Sequence, residues 1–148
     1  MQIDATALEG VLILTPQRFG DDRGWFTETY NAARMAEAGI SVVFVQDNHS
    51  MSGAVGTLRG LHYQIRQPQG KLVRVTQGEV FDVAVDLRRS SPNFGKWIGV
   101  TLSASNKRQL WIPPGFAHGF LSLEDNTIFS YKCSNFYNPA DEYSIIWN

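Results

Sequence analysis

The chain has 148 residues, 43% hydrophobic and 18% charged, which fits one folded domain (1–148) with a buried core and excludes a disordered chain. A formal net charge of −1 supplies no overall basic field, so neither nucleic acid nor an acidic membrane is an expected partner. The single cysteine, Cys133, excludes an internal disulfide and a multi-cysteine metal site. With no basic leader and no apolar run near the ~20 residues of a membrane span, the expectation is a cytoplasmic protein.

In chain order, Val11 to Leu14 forms the first β-run and Trp25 to Tyr30 an alternating second. Asn31 to Ala38 carries Ala, Arg, Met and Glu before Gly39, and is the one helical segment. Val42 to Val45 follows as a strand, and a further short strand should carry the Arg59-Gly60-Leu61-His62 run. Leu72 to Val75 leads into a turn at Gln77-Gly78. Val80 to Asp86 then alternates cleanly, with Asp82 and Asp86 on one face and Phe81, Val83 and Val85 on the other. Further runs lie at Trp97 to Leu102, Arg108 to Ile112, Gly119 to Leu123 and Thr127 to Lys132. β-branched and aromatic residues fill them; Gly, Pro, Asn and Asp separate them. Many short strands at regular spacing predict an all-β antiparallel sandwich or barrel. Apolar residues on both faces of Val83-Ala84-Val85 suit a sheet covered on two sides, which favours a homodimer over a monomer.

The stretches Phe19-Gly20-Asp21-Asp22-Arg23-Gly24, Gln46-Asp47-Asn48-His49-Ser50, Leu58-Arg59-Gly60-Leu61-His62-Tyr63-Gln64 and Gly70-Lys71-Leu72-Val73-Arg74-Val75 come in order along the chain. Gly78 to Asp86, Pro113-Pro114-Gly115-Phe116-Ala117-His118-Gly119-Phe120 and Tyr131-Lys132 continue the series. Together, from Val11 to Trp147, these blocks resemble the dTDP-4-dehydrorhamnose 3,5-epimerases. The resemblance implies a cupin-type jelly roll, usually dimeric. It also implies a dTDP-linked 4-keto-6-deoxy sugar as substrate, inverted at C3 and C5 with no cofactor and no metal.

Inverting a carbon beside a ketone needs a base, an acid on the opposite face, and a positive group at the enolate oxygen. His62 is the candidate base, because imidazole titrates near neutral pH. Metal-binding cupins place two His one residue apart, whereas His62-Tyr63-Gln64 supplies only one, so no metal is expected. By resemblance Tyr131 is the acid and Lys71 the enolate stabiliser. His118 contacts substrate by the same argument. Asp82 either orients it from an interior face or points to solvent. Arg59 and Arg23 suit the diphosphate, and Tyr137 suits stacking on thymine. The resemblance adds polar contacts from Glu28, Gln46, Asn48 and Glu142, with Arg23 and Glu28 given by a partner subunit. Family members also have a further segment whose Asp pairs with the base His and whose Arg lies near the substrate. This sequence stops at Trp147-Asn148. The expectation is therefore nucleotide binding through Arg59 and Tyr137 with slow turnover, unless another carboxylate serves His62. Two rival readings stay open: a one-carbon epimerase or ketoisomerase of the same substrate class, and a non-catalytic sugar-nucleotide-binding cupin.

Overall fold

A computed structural model describes residues 1–148. The strands are β1 (Gln2–Ala5), β2 (Leu12–Thr15), β3 (Arg18–Asp21), β4 (Gly24–Thr27), β5 (Gln46–Ser52), β6 (Leu58–Gln64) and β7 (Lys71–Gln77), with helix α1 (Ala32–Glu37) between β4 and β5. They continue with β8 (Glu79–Asp86), β9 (Trp97–Ser103), β10 (Gln109–Ile112), β11 (Phe116–Ser122), β12 (Thr127–Cys133) and β13 (Glu142–Ser144). A six-stranded sheet runs β1-β2-β10-β7-β12-β5 and a five-stranded sheet runs β13-β6-β11-β8-β9, all pairs antiparallel. Strands β3 and β4 form a separate hairpin. The architecture is a cupin-type jelly roll.

The core sits between the two sheets because strand alternation sends every second side chain inward. Val73 and Val75 of β7, Leu110 and Ile112 of β10, and Phe129 of β12 meet Val80, Ala84, Leu102, Phe116 and Phe120 from the facing sheet. Phe120 and Phe129 stack across this interface with ring centroids 4.1 Å apart. A second cluster covers the outer face of the six-stranded sheet, where Met35 and Ile40 close over Leu14, Leu72 and Trp111. The short helix is placed by its ends. Asn31 Oδ1 accepts from the amides of Ala33 and Arg34, and Gly39 at φ 82° terminates it.

Two of the expected strands are corrected. Val42 to Val45 lies outside any sheet. Its alternation is real, since Val42 and Phe44 pack on the outer cluster while Val43 is 77% exposed, but a helix and a Trp111 ring provide that packing without a strand ladder. The run from Trp25 ends as a strand at Thr27, because the chain then turns into the Asn31 cap. Asp82 and Asp86 do not point to solvent; both are fully buried.

Asp86 closes the β8 end. Its Oδ1 accepts from Arg88 N at 2.9 Å and Arg88 Nε at 3.0 Å, and its Oδ2 accepts from Arg88 Nη2 at 2.8 Å and Ser91 Oγ at 2.6 Å. The Arg88 guanidinium beside it lowers the carboxyl from 3.8 to about 2. A depressed folded-state value stabilises above the unfolded value and is lost as pH falls through the folded one, a difference of about 2 kcal/mol here. Asp86→Asn should therefore be less stable than the parent in urea at pH 7, with the gap closing between about pH 4 and 2. A gap that does not change with pH would refute this account.

Candidate active site

One mouth of the sandwich holds a small polar pocket between the sheets. His62 and Glu142 approach it from the five-stranded sheet; Lys71, Tyr131 and Asn48 approach from the six-stranded sheet. Tyr63, Gln64, Gln69 and Tyr137 complete the lining.

His62 is near the end of β6, paired with His118 of β11 on one side and Ser144 of β13 on the other. A bulge between His118 and Phe120 sets that register. It depends on two glycines packed backbone to backbone. A Cβ on Gly60, at φ 104°, would lie 2.6 Å from both Gly119 Cα and His118 O, and one on Gly119 would lie 2.5 Å from Arg59 O. Both histidines are thus aimed by one close contact between strands.

His118 is buried, and its Nε2 meets both Asp82 oxygens at 3.0 and 2.9 Å. The expected Asp82–His118 pair is therefore present. Burial raises the Asp82 carboxyl, opposed by His118 and then by Lys71. His118 lines a narrow recess together with Lys71, Gln64 and Tyr63, adjoining the main pocket.

Lys71 opens β7 with its Nζ 6.0 Å from the Tyr131 ring centre. Burial lowers its ammonium, while Cys133, Asp82 and Glu142 act in the other direction. Burial likewise raises the Tyr131 phenol, with Cys133 and Glu142 adding to the rise and Asn48 and Arg59 opposing it. Tyr131 therefore carries its proton at neutral pH, as an acid must. It is wedged by Phe129, with ring centroids 5.9 Å apart.

The remaining residues form a rim. Gln46 Nε2 donates to Asn48 Oδ1 at 3.1 Å, and Gln46 Oε1 accepts from the Tyr137 amide at 2.9 Å. Tyr137 is 49% exposed, leaving its ring free to be stacked upon. Its hydroxyl donates to Glu142 Oε2 at 2.8 Å, and that bond raises the phenol. Glu142 Oε1 lies 3.3 Å from His62 Nδ1. Sequence reasoning placed Glu142 on the substrate; the fold also places it on the candidate base.

Arg59, Arg23 and Glu28 are not in the pocket lining. Arg59 donates to Ser52 Oγ and Met51 O, both at 3.1 Å. Arg23, on the β3–β4 turn, pairs with its neighbour Asp21 and is otherwise in solvent. Glu28 pairs with Arg34 at 3.3 Å. His49 lines a separate groove on the outer face of the six-stranded sheet, with Asp47, Arg74 and Lys132. The three histidines thus do not converge, and no group of three His, Cys, Asp or Glu has metal-binding geometry. Gln64 and Gln69 went unassigned in the sequence. For Gln64, the period-two step from His62 along β6 was the available signal.

The family model described as dTDP-4-dehydrorhamnose 3,5-epimerase matches residues 5–148. A dTDP-4-dehydrorhamnose 3,5-epimerase of Pseudomonas aeruginosa is 60% identical, the match covering all of this chain and 82% of that protein. The crystal structure of dTDP-4-dehydrorhamnose 3,5-epimerase from Bacillus anthracis, with TDP and PPi bound, superposes with a TM-score of 0.96 at 46% identity, covering 99% of this chain and 85% of that one. The dTDP-6-deoxy-D-glucose-3,5-epimerase of Legionella pneumophila in complex with dTDP-4-keto-L-rhamnose superposes with a TM-score of 0.95 at 54% identity, covering 99% and 78%.

Proposed function

Since the chain belongs to the dTDP-4-dehydrorhamnose 3,5-epimerase family, an isomerase family, we propose that His62, Lys71 and Tyr131 invert C3 and C5 of a dTDP-linked 4-keto-6-deoxy sugar. The observation that carries the assignment is that His62 and Tyr131 reach one pocket from opposite sheets. Inversion needs a proton removed on one side of a carbon and supplied on the other, and this arrangement provides both.

In the proposed sequence His62 Nε2 takes the proton from the carbon next to the ketone. The electron pair moves into the C4 carbonyl, and the negative charge on its oxygen is met by the Lys71 ammonium. That interaction strengthens as charge develops, so it favours the transition state over the ground state. The Tyr131 hydroxyl then gives its proton to the opposite face of the carbon and regains one from solvent, while His62 releases its own. Repeating the cycle at the second carbon requires only that the sugar present it between the same two groups.

The nucleotide is read at the rim. Tyr137 takes the thymine by stacking, Gln46, Asn48 and Glu142 add polar contacts, and His118, fixed by Asp82, meets the sugar. Arg59 serves the diphosphate. Arg23 and Glu28 stand outside the pocket of their own chain, which suits their supply by a second subunit in a homodimer. The exposed Phe19, Trp25 and Phe26 on the same hairpin support that assembly. A cytoplasmic setting belongs to the same proposal and is supported by the single, buried Cys133 thiol.

The test is deuterium incorporation from solvent into dTDP-4-keto-6-deoxyglucose, resolved by carbon. Label at both C3 and C5 is the expected result. Label at one carbon would make this a one-carbon epimerase, and binding without label a non-catalytic cupin.

A further inference from the structure

We propose that Ser52 is the positioning residue for Arg59. Its buried hydroxyl latches the guanidinium across the gap between the two sheets and leaves one fork of it open to the diphosphate. The inference rests on the reading of Arg59 as the diphosphate contact.

Three features carry it. First, the bond joins strands that share no ladder. Arg59 is on β6 of the five-stranded sheet, and Ser52 is on β5 at the edge of the six-stranded sheet. Arg59 Nε donates to Ser52 Oγ and Nη2 donates to Met51 O, both at 3.1 Å. These bonds occupy one edge of the guanidinium. Nη1 makes no bond within the chain, so Nη1 and the second proton of Nη2 remain as a fork that matches two phosphate oxygens.

Second, Ser52 serves no solvent. Strand β5 alternates, with Gln46, Asn48, Ser50 and Ser52 on its inward face, and Ser52 is the buried member. A buried hydroxyl needs a partner, and here the partner is the arginine. Third, both ends of the Arg59 side chain are held. Its backbone faces Phe120 in the β6–β11 register, beside the close approach of Gly60 to Gly119. Its anchor is held too, since Ser52 lies opposite Thr127 of β12, and buried Thr127 donates to Glu124 O at 2.8 Å.

A free arginine must give up many rotamers when it meets an anion, and fixing it beforehand removes that cost from binding. The latched charge also reaches the pocket. Burial raises the Tyr131 phenol, and the Arg59 charge opposes that rise. Ser52 thus touches no substrate in the proposed complex, yet sets where the diphosphate is met.

The experiment uses the full chain. Calorimetric affinities for dTDP and for thymidine, and kcat and KM for solvent exchange into the keto sugar nucleotide, are measured for the parent, Ser52→Ala, Arg59→Gln and the double variant. Arg59→Gln should weaken dTDP by about 10- to 100-fold. Ser52→Ala should weaken it by about three- to tenfold and leave thymidine within about twofold, because only the diphosphate meets the fork. Its loss should appear in KM, with kcat within about threefold. In the Arg59→Gln background Ser52→Ala should cost no further dTDP affinity, whereas a merely structural serine would cost the same in both. The parent alone gives a measurement that survives any folding failure: the Arg59 Nε–H ¹⁵N resonance, identified by its loss in Arg59→Gln, should be protected from solvent exchange without nucleotide. Unchanged dTDP affinity in Ser52→Ala, equal losses for dTDP and thymidine, additive losses in the double variant, or a rapidly exchanging Nε–H would each overturn the positioning role. Unchanged dTDP affinity in Arg59→Gln would instead overturn the underlying reading of Arg59.

Discussion

His62→Asn should reduce solvent exchange at both sugar carbons by about 10³- to 10⁴-fold, roughly 4 to 5 kcal/mol of transition-state stabilisation. Asparagine suits the test because its amide still offers a donor toward Glu142 while lacking a basic nitrogen for the substrate. The side chain is at the pocket surface and not in the core, so folding should survive; the loss is then chemical. Affinity for dTDP should remain within about twofold, since the proposed nucleotide contacts lie on the rim. Exchange retained within tenfold of the parent would show that another group removes the proton.

Tyr131→Phe should separate two events that normally occur together. Phenylalanine keeps the ring beside Phe129 and beneath Lys71, so the packing at 5.9 Å and the ammonium contact at 6.0 Å are preserved. Only the proton donor is lost. His62 can still remove and return a proton on its own face, so label should continue to enter from deuterated solvent while inversion falls by about 10²- to 10³-fold. NMR of the sugar reports both, as loss of the C–H signal and appearance of the inverted isomer. Equal loss of exchange and inversion, in a variant that still binds dTDP, would remove the acid-only role from Tyr131.

Much of the sandwich was legible because a two-sided core leaves a period-two record. β8 alternates from Glu79 to Asp86 with every second residue buried, and its written pattern carries that directly. β5 left no such record. Its sequence, Gln-Asp-Asn-His-Ser-Met-Ser, faces solvent on one side and the polar pocket on the other, so neither face needed apolar residues. β1 was silent for a different reason: it is an edge strand exposed at all four positions, held by its ladder to β2. Val42 to Val45 shows the converse, an apolar alternation with no ladder. At the site, His62, Lys71 and Tyr131 lie on three strands and no spacing rule connects them; ordered sequence blocks singled them out. The Glu142–His62 contact was beyond reach, because it depends on the register of a three-residue strand set by an Asp141 loop anchor.

The division of labour between the two sheets bears on the handedness of the product. Under the proposed assignment of His62 as base and Tyr131 as acid, configuration follows from which layer takes a proton and which returns one. A stereocentre held between them is overwritten by traversal of the gap, whatever hand it had on entry, so the forward and reverse reactions share one apparatus with the roles of His62 and Tyr131 exchanged. As with any catalyst, the equilibrium between the isomers is set by the sugars themselves. Relocating the phenol to the layer of His62 would leave a catalyst that labels its substrate indefinitely and never changes its hand.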